Sequence, residues 1–173
     1  MSISSAIGLF NPLWDKDEDD DVGFIEACKL ARVVLACTVI AAASNIRSEK
    51  IVAELIESAT DELLVMEQFI GGWLETILNS DSQKAKRLLY AIFPDRDGHW
   101  AIQAIPPSAD NRMGQRKPFP NDWRGLSGEN LAKAYGGIKT AVFCHAAGFF
   151  AVAETREDAI AIASKAVDIP AAQ

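Results

Sequence analysis

The most apolar stretch of this chain, Ala31 to Ala43, constrains most strongly what the chain can fold into. Before and into it, from Phe24 to Leu35, apolar residues recur at intervals of three and four, the period of an amphipathic helix. The stretch is shorter than the ~20 residues that a bilayer demands, and Arg32 and Arg47 bracket it, which favours a buried helix over a membrane span. A helix that is apolar on all faces has to be covered by a sheet or by another subunit. We therefore expect the chain to form a homodimer.

The residues around this helix set its expected bounds. The acidic run from Asp15 to Asp21 resembles a metal-binding cluster, but consecutive acids point in diverging directions, and Asp20 or Asp21 can cap a helix start. We favour the helix start. Ser44 and Asn45 either bend the helix or end it, and a further helical segment is expected to about Ala59.

Short branched runs separated by turn residues predict strands near residues 63, 88, 100, 141 and 149, the second and third forming a hairpin. We also predict an extended arm from Ile7 to Trp14 and a short helix from Gly128 to Tyr135. A last helix is expected to begin with a capping box of Thr155 and Asp158. The fold class is therefore α/β (α+β), a mixed β-sheet covered by helices. With 173 residues and 49% hydrophobic composition, a single domain over residues 1–173 is expected.

Charge and cysteine usage narrow the functional classes. A net charge of −7 disfavours indiscriminate binding to phosphate backbones. Cys28, Cys37 and Cys144 lack the paired spacing of a zinc site and are expected to be reduced, buried thiols. Because no signal-peptide pattern is present either, we expect a cytoplasmic protein with no membrane contact.

A basic segment stands out in this acidic chain. It comprises Arg112, Arg116, Lys117 and Arg124, in and after a proline-rich loop from Pro106 to Asp122 that we expect to be an ordered surface loop and a lid. Arginine presents a planar fork of donors that matches phosphate and carboxylate oxygens, so the segment suits an anion clamp. A solvated loop with ion pairs to neighbouring acids explains it equally simply, and both interpretations stay open.

His145 lies between a strand and the small residues Ala146, Ala147 and Gly148, which let a ligand approach the backbone closely. A half-buried histidine that merely holds the turn is the alternative, and His99 is expected to be plain surface. The chain has none of the G-x-S-x-G, Walker, H-E-x-x-H or dinucleotide motifs. No residue of this chain is therefore assigned as catalytic or as a metal ligand.

Several segments together resemble a known family. They are Phe10-Asn11-Pro12, Phe93-Pro94-Asp95 with Gly98 and Trp100, Gln103-Ala104-Ile105-Pro106, Trp123-Arg124-Gly125-Leu126, and Phe143-Cys144-His145 with Gly148-Phe149. The pattern is similar to the carboxy-terminal half of the melanocyte-proliferating-gene family, catalogued as metal-dependent protein hydrolases and placed among the DHH phosphoesterases. The resemblance covers nearly the whole chain.

The resemblance implies that metal binding and substrate contact lie in different halves of the family's proteins. The family's catalytic metals are held by His and Asp motifs in an amino-terminal half, and nothing from Met1 to Asp21 is similar to them. No cofactor is thus expected in this chain, with Mn or Mg involved only if a catalytic half is supplied in trans. By analogy with DHH-associated domains, His145 to Phe149 is the substrate-contacting turn. Val142, Phe143 and Cys144 replace the glycines that normally precede the histidine, which weakens the expectation of close phosphate cradling.

We therefore predict a stand-alone, DHH-associated-like domain that binds a phosphate-bearing ligand, such as single-stranded nucleic acid. The alternatives are a non-catalytic subunit of a split metal-dependent hydrolase or nuclease of the phosphodiesterase or exonuclease class, completed by a separate catalytic chain, and a structural dimerisation remnant. The expected ligand-binding residues are Trp123, Arg124, Gly125, Arg112, Arg116, His145, Gly148 and Phe149.

Overall fold

The structure, a computed structural model, describes residues 2–16, 19–59 and 61–170. It divides into two units, residues 1–47 and residues 48–173, and we describe each by itself. That all 173 residues form one domain stays a prediction.

The first unit consists of two helices and their connection. Helix α1, Ile3–Gly8, begins where the Ser2 hydroxyl accepts a hydrogen bond from the Ser5 amide at 3.2 Å. The predicted extended arm from Ile7 is thus wrong at its start, because a serine N-cap offers the backbone a helix instead. Helix α2, Asp20–Ser58, starts one residue after Asp19, whose carboxylate accepts from the Asp21 amide at 2.9 Å. Asp17 and Glu18 of the acidic run lie outside the described residues.

Helix α2 continues through Ser44 and Asn45 without ending and so enters both units. No described residue of the first unit is buried. Cys28 and Cys37 are consequently exposed, and only Cys144 is a buried thiol as predicted. The prediction failed for the two helix cysteines because their apolar neighbours in the sequence do not bury them, this part of α2 having no cover within its own unit. No helix in the described parts of the chain is long and apolar enough to cross a membrane.

The second unit is built on a mixed five-stranded sheet. Its strands are β1 Leu63–Val65, β2 Tyr90–Pro94, β3 Trp100–Ala104, β4 Ala141–Cys144 and β5 Phe150–Ala153, in the spatial order β1-β2-β3-β5-β4. Strand β1 runs parallel to β2, and the other neighbours are antiparallel. The predicted hairpin of β2 and β3 is confirmed, as is the α/β class.

Helices cover both faces of this sheet. They are α3 Trp73–Leu78, α4 Gln83–Arg87, α5 Gly128–Ala134 and α6 Arg156–Asp168, together with the last turns of α2. Along β2 the side chains alternate between two cores, with Tyr90 and Ile92 in one and Ala91 and Phe93 in the other. The predicted start of α6 at Thr155 is confirmed as an N-cap, since the Thr155 hydroxyl accepts from the Asp158 amide at 3.3 Å.

The proline-rich loop from residue 106 is more firmly held than a surface loop. Phe119 is fully buried and its ring stacks on Tyr90 at 5.0 Å between centroids. A 3₁₀ helix, Asn121–Trp123, follows and buries Trp123 as well. The first half of the loop is mostly exposed as expected. In the second half Phe119 belongs to the core, its neighbours are partly buried, and Asn121 and Asp122 are exposed.

Candidate anion-binding site

The turn after β4 is tightly hydrogen-bonded. The His145 amide donates to the Phe150 carbonyl at 2.8 Å, and the Gly148 amide donates to the His145 carbonyl at 2.8 Å. Gly148 has a φ of 70°, a conformation that residues with a side chain rarely adopt. A glycine at this position is thus required by the backbone itself.

The His145 side chain is exposed but has a fixed orientation. Its Nδ1 accepts a hydrogen bond from the Ala147 amide at 3.1 Å. Because Nδ1 is the acceptor, the neutral ring carries its hydrogen on Nε2, which is left available as a donor. The ring lies 4.5 Å from that of Phe149, and Phe149 is itself 37% exposed. The turn therefore presents two adjacent exposed rings.

The segment from Trp123 to Leu126 lies directly beside this turn. The Gly125 amide donates to the Cys144 carbonyl at 2.9 Å, and the Cys144 amide donates to the Leu126 carbonyl at 3.0 Å. Trp123 anchors the segment in the core, because its ring packs edge-on against that of Tyr135 with 4.6 Å between the ring centroids. The structure thus brings together the two segments on which the sequence prediction rested, although nineteen or more residues separate them.

Arg124 is the side chain that joins the two segments. Its Nε donates to the Phe119 carbonyl at 2.8 Å, while the Phe119 amide donates to the Gly148 carbonyl at 2.8 Å. A Cβ atom at Gly148 would lie 2.5 Å from the Arg124 Nε and 3.1 Å from its Cδ and Cζ. Arg124 therefore occupies the space that the missing side chain of Gly148 leaves.

The two terminal nitrogens of Arg124 have no hydrogen-bond partner among the described residues. Arg124 also lines a cavity of about 490 Å³. The other residues lining this cavity are Lys117, Pro118, Phe119, Pro120, Asn121, Asp122, Ala166, Ile169 and Pro170. His145 is not among them, so Arg124 and His145 are neighbours through Gly148 and do not face each other across this cavity. That both contact one ligand stays a prediction.

The remaining basic residues of the segment bind protein groups. Arg116 donates to the carbonyls of Ala85, Leu88 and Pro106, and burial lowers the pKa of its guanidinium. Its bonds hold the loop to the end of α4, and its role in ligand binding stays a prediction.

Arg112 and Lys117 are engaged too. Arg112 pairs with Glu75 at 2.9 Å, and this hydrogen bond holds the pKa of the Glu75 carboxyl below its usual value. Lys117 donates to the Val167 carbonyl. An ion pair thus occurs at Arg112, with the distant Glu75 and not with a neighbouring acid of the loop. The anion clamp stays a prediction, with Arg124 as its candidate.

Cys144 lies under the turn but is not poised for chemistry. Burial raises the pKa of its thiol to about 11, so the thiol stays protonated at neutral pH. Burial likewise raises the pKa of the neighbouring Tyr135 hydroxyl. Among residues 2–16, 19–59 and 61–170, no three His, Cys, Asp or Glu side chains are grouped so as to hold a metal ion.

Phe119 is the residue of this site that the sequence prediction missed. Both its backbone groups take part, the carbonyl fixing Arg124 and the amide bonding the His145 turn. A usable signal was present, because an aromatic residue between Pro118 and Pro120 in an otherwise polar loop is typical of an anchor.

The fold and the site together define the class of protein. It is an α/β domain in which one arginine, Arg124, lies between its neighbour Gly125 and the turn that contains Gly148. Comparison with known sequences then gives the family. The family profile MYG1_exonuc, described as an uncharacterised protein family (UPF0160), matches residues 1–167. The chain belongs to this family, as its resemblance to the melanocyte-proliferating-gene proteins implied.

Individual relatives agree with this assignment. A MYG1 protein of Caenorhabditis elegans is 31% identical over 97% of this chain and 52% of its own length, and a MYG1 protein of Chlamydia muridarum is 31% identical over 90% and 52%. A human relative named MYG1 exonuclease is 27% identical over 94% of this chain and 45% of its own length. The chain thus spans about half the length of the curated relatives it matches. No solved structure matches it.

Proposed function

We propose that this chain is a cytoplasmic substrate-binding domain that holds a phosphate-bearing ligand, most specifically single-stranded nucleic acid, at Arg124 and the His145 turn. The observation that carries the proposal is the state of Arg124. Its Nε is fixed by the Phe119 carbonyl, its terminal nitrogens have no hydrogen-bond partner among the described residues, and the residue lines a cavity. A pre-oriented guanidinium fork with unused donors is suited to phosphate oxygens.

The neighbouring rings supply the second part of the proposal. His145 and Phe149 are exposed and adjacent, and exposed aromatic rings are platforms on which unpaired bases stack. The free Nε2 of His145 is a further donor for phosphate or a base edge. One relative is named an exonuclease, and this name supports nucleic acid as the class of ligand.

A second candidate function places the same site in a larger enzyme. Here the chain closes the substrate cleft of a metal-dependent nuclease whose other half holds Mn or Mg. The relatives of about twice this length, one of them named an exonuclease, favour this candidate. Both candidates require nucleic-acid binding at Arg124, whereas a purely structural role requires none.

The test is fluorescence anisotropy with short labelled single-stranded DNA and RNA. Replacing Arg124 with Ala removes a charge-assisted contact of roughly 1.5–3 kcal/mol, so we expect binding to weaken about ten- to a hundredfold. Arg96→Ala is the matched control, because Arg96 is exposed on the turn between β2 and β3 and removes the same charge. Binding by the control should stay within about twofold of the unmodified chain.

Equal weakening in both variants would mean that only net charge matters, which contradicts a site at Arg124. No measurable binding by the unmodified chain at low salt would contradict nucleic acid as the ligand. A cleavage assay with manganese and the same oligonucleotides separates the two candidates. Cleavage that occurs only when a second, metal-holding chain is also present supports the split enzyme alone.

A further inference from the structure

The first part of α2 has one face that is already covered within its own unit. Gly23 lies against the backbone of Phe10, so close that a Cβ there would be 2.2 Å from the Phe10 carbonyl oxygen. Ala27, Leu30 and Val34 continue the same partly buried face. At about 100° per residue, these positions share one side of the helix.

A second face of the helix is apolar and exposed, apart from the partly buried Ala31. We call it the apolar stripe, and it consists of Phe24, Cys28, Ala31, Leu35, Val39, Ala42 and Ile46. Its four large members are 59–68% exposed. The residues from Val33 to Ile46 contain no charge on any side. Such a surface needs a cover in water.

The spacing of the stripe is symmetric. Its members follow one another at intervals of 4, 3, 4, 4, 3 and 4 residues, so the order reads the same in both directions from Leu35. A twofold contact between identical chains requires this property, because residue i must meet residue j and residue j must meet residue i. The average interval of about 3.7 residues also keeps the stripe on one side of a straight helix.

We propose that the apolar stripe is the contact surface of a homodimer in which two copies of α2 pack antiparallel about an axis at Leu35. In this register Phe24 faces Ile46 of the second copy, and the small Cys28 faces the small Ala42. Ala31 faces Val39, and Leu35 faces itself. Large side chains thus pair with large ones and small with small along most of the contact.

Charge agrees with the same register. Arg47 lies opposite Gly23 of the second copy, within one helical turn of the acidic Asp20 and Asp21. The other three charged residues of the helix in this unit, Glu26, Lys29 and Arg32, lie opposite the uncharged Ser44, Ala41 and Thr38. Asp21 is the exception, because in this register it falls opposite Glu49 on α2 of the second copy. The antiparallel arrangement also opposes the two helix dipoles.

The exposed area of the stripe is a large part of what a stable pair needs. With about 200 Å² for a Phe side chain and about 100 Å² for Leu, Ile or Val, the exposed fractions of its four large members give about 330 Å² per copy. A standard interface buries about 800 Å² per partner, of which about 450 Å² is nonpolar. These four side chains alone therefore supply about three quarters of the nonpolar area that such an interface needs.

The test begins with sedimentation equilibrium of the chain between about 1 and 100 μM. We expect a mass of twice 18.8 kDa, and a Leu35→Lys variant that weakens dimerisation at least tenfold. Ile40→Lys is the matched control. Ile40 is 67% exposed and Leu35 65%, but Ile40 lies on the other side of the same helix, so its variant should stay dimeric.

Cysteine crosslinking fixes the register and does not depend on the lysine variants folding. In a background without Cys28 and Cys37, Leu35→Cys should form an intermolecular disulfide on mild oxidation, because only this position faces itself across the axis. Ile40→Cys in the same background should not. A mass of 18.8 kDa at all concentrations would show that the stripe is covered within the chain or by a different protein, and it would overturn the proposal. Equal crosslinking of both cysteine variants would overturn the register.

Discussion

Replacing Gly148 with Ala tests the geometry of the candidate site at its tightest point. Gly148 has a φ of 70°, and a left-handed conformation costs a residue with a side chain about 1–2 kcal/mol. The new methyl group would also lie 2.5 Å from the Arg124 Nε. Overpacking of this kind costs about 1–3 kcal/mol more, or it expels the arginine from its place.

A matched control separates the two causes of the expected loss of stability, the backbone conformation and the clash with Arg124. Gly98 has a φ of 87°, and no atom lies within 4 Å of the place that a methyl group would take there, so Gly98→Ala carries the backbone cost alone. With ~2–4 °C for each kcal/mol in a chain of this size, Gly98→Ala should lower the melting temperature by about 4 °C. Gly148→Ala should lower it by about 10 °C and weaken oligonucleotide binding as much as Arg124→Ala does.

The decisive measurement is the double variant, followed by thermal or urea unfolding. In an Arg124→Ala background the clash is gone, so Gly148→Ala should cost no more than Gly98→Ala. If Gly148→Ala lowers the stability equally with and without Arg124, the guanidinium does not lie against this glycine and our reasoning is refuted.

Two further predictions concern the frame of the site. Thr155→Ala removes the cap of α6, which accepts from the Asp158 amide. It should cost about 1 kcal/mol, a fall of ~2–4 °C in melting temperature, and an unchanged melting temperature would contradict the cap. Since burial raises the pKa of Cys144 to about 11, its thiol should resist alkylation at about pH 7.5 and react only as the pH approaches that value, whereas the exposed Cys37 reacts at once. Mass spectrometry of alkylated peptides checks this, and labelling of Cys144 at neutral pH would show that it is accessible.

The sheet and three of the six described α-helices, α2, α5 and α6, could be predicted because their signals are local. Strand alternation at Trp100 to Ala104, glycine and proline punctuation, and the Thr155 capping box each act over a few residues. Arg124 and the His145 turn could also be selected from the sequence as candidate site residues, because unusual residue types are concentrated in both segments.

The features that escaped prediction depend on long-range packing. The residues next to Cys28 and Cys37 in the sequence do not indicate that no other element of its unit packs over this part of α2. The burial of Phe119 depends on Trp123 nearby and on Tyr90, which comes from a distant part of the chain. The partners of Arg112 and Arg116 likewise lie on α3 and around α4, far away in sequence. Residue type alone therefore could not separate the free arginine from the engaged ones.

The most direct test of the binding site is an NMR titration of the ¹⁵N-labelled chain with a short single-stranded oligonucleotide. We predict that the Arg124 Nε–H signal and the backbone amides of Gly125 and Ala146 to Phe149 shift together with one dissociation constant. The Arg96 signal should stay in place. Shifts confined to other basic surfaces, such as Lys84 and Arg87 of α4, with the His145 turn unchanged, would contradict the site.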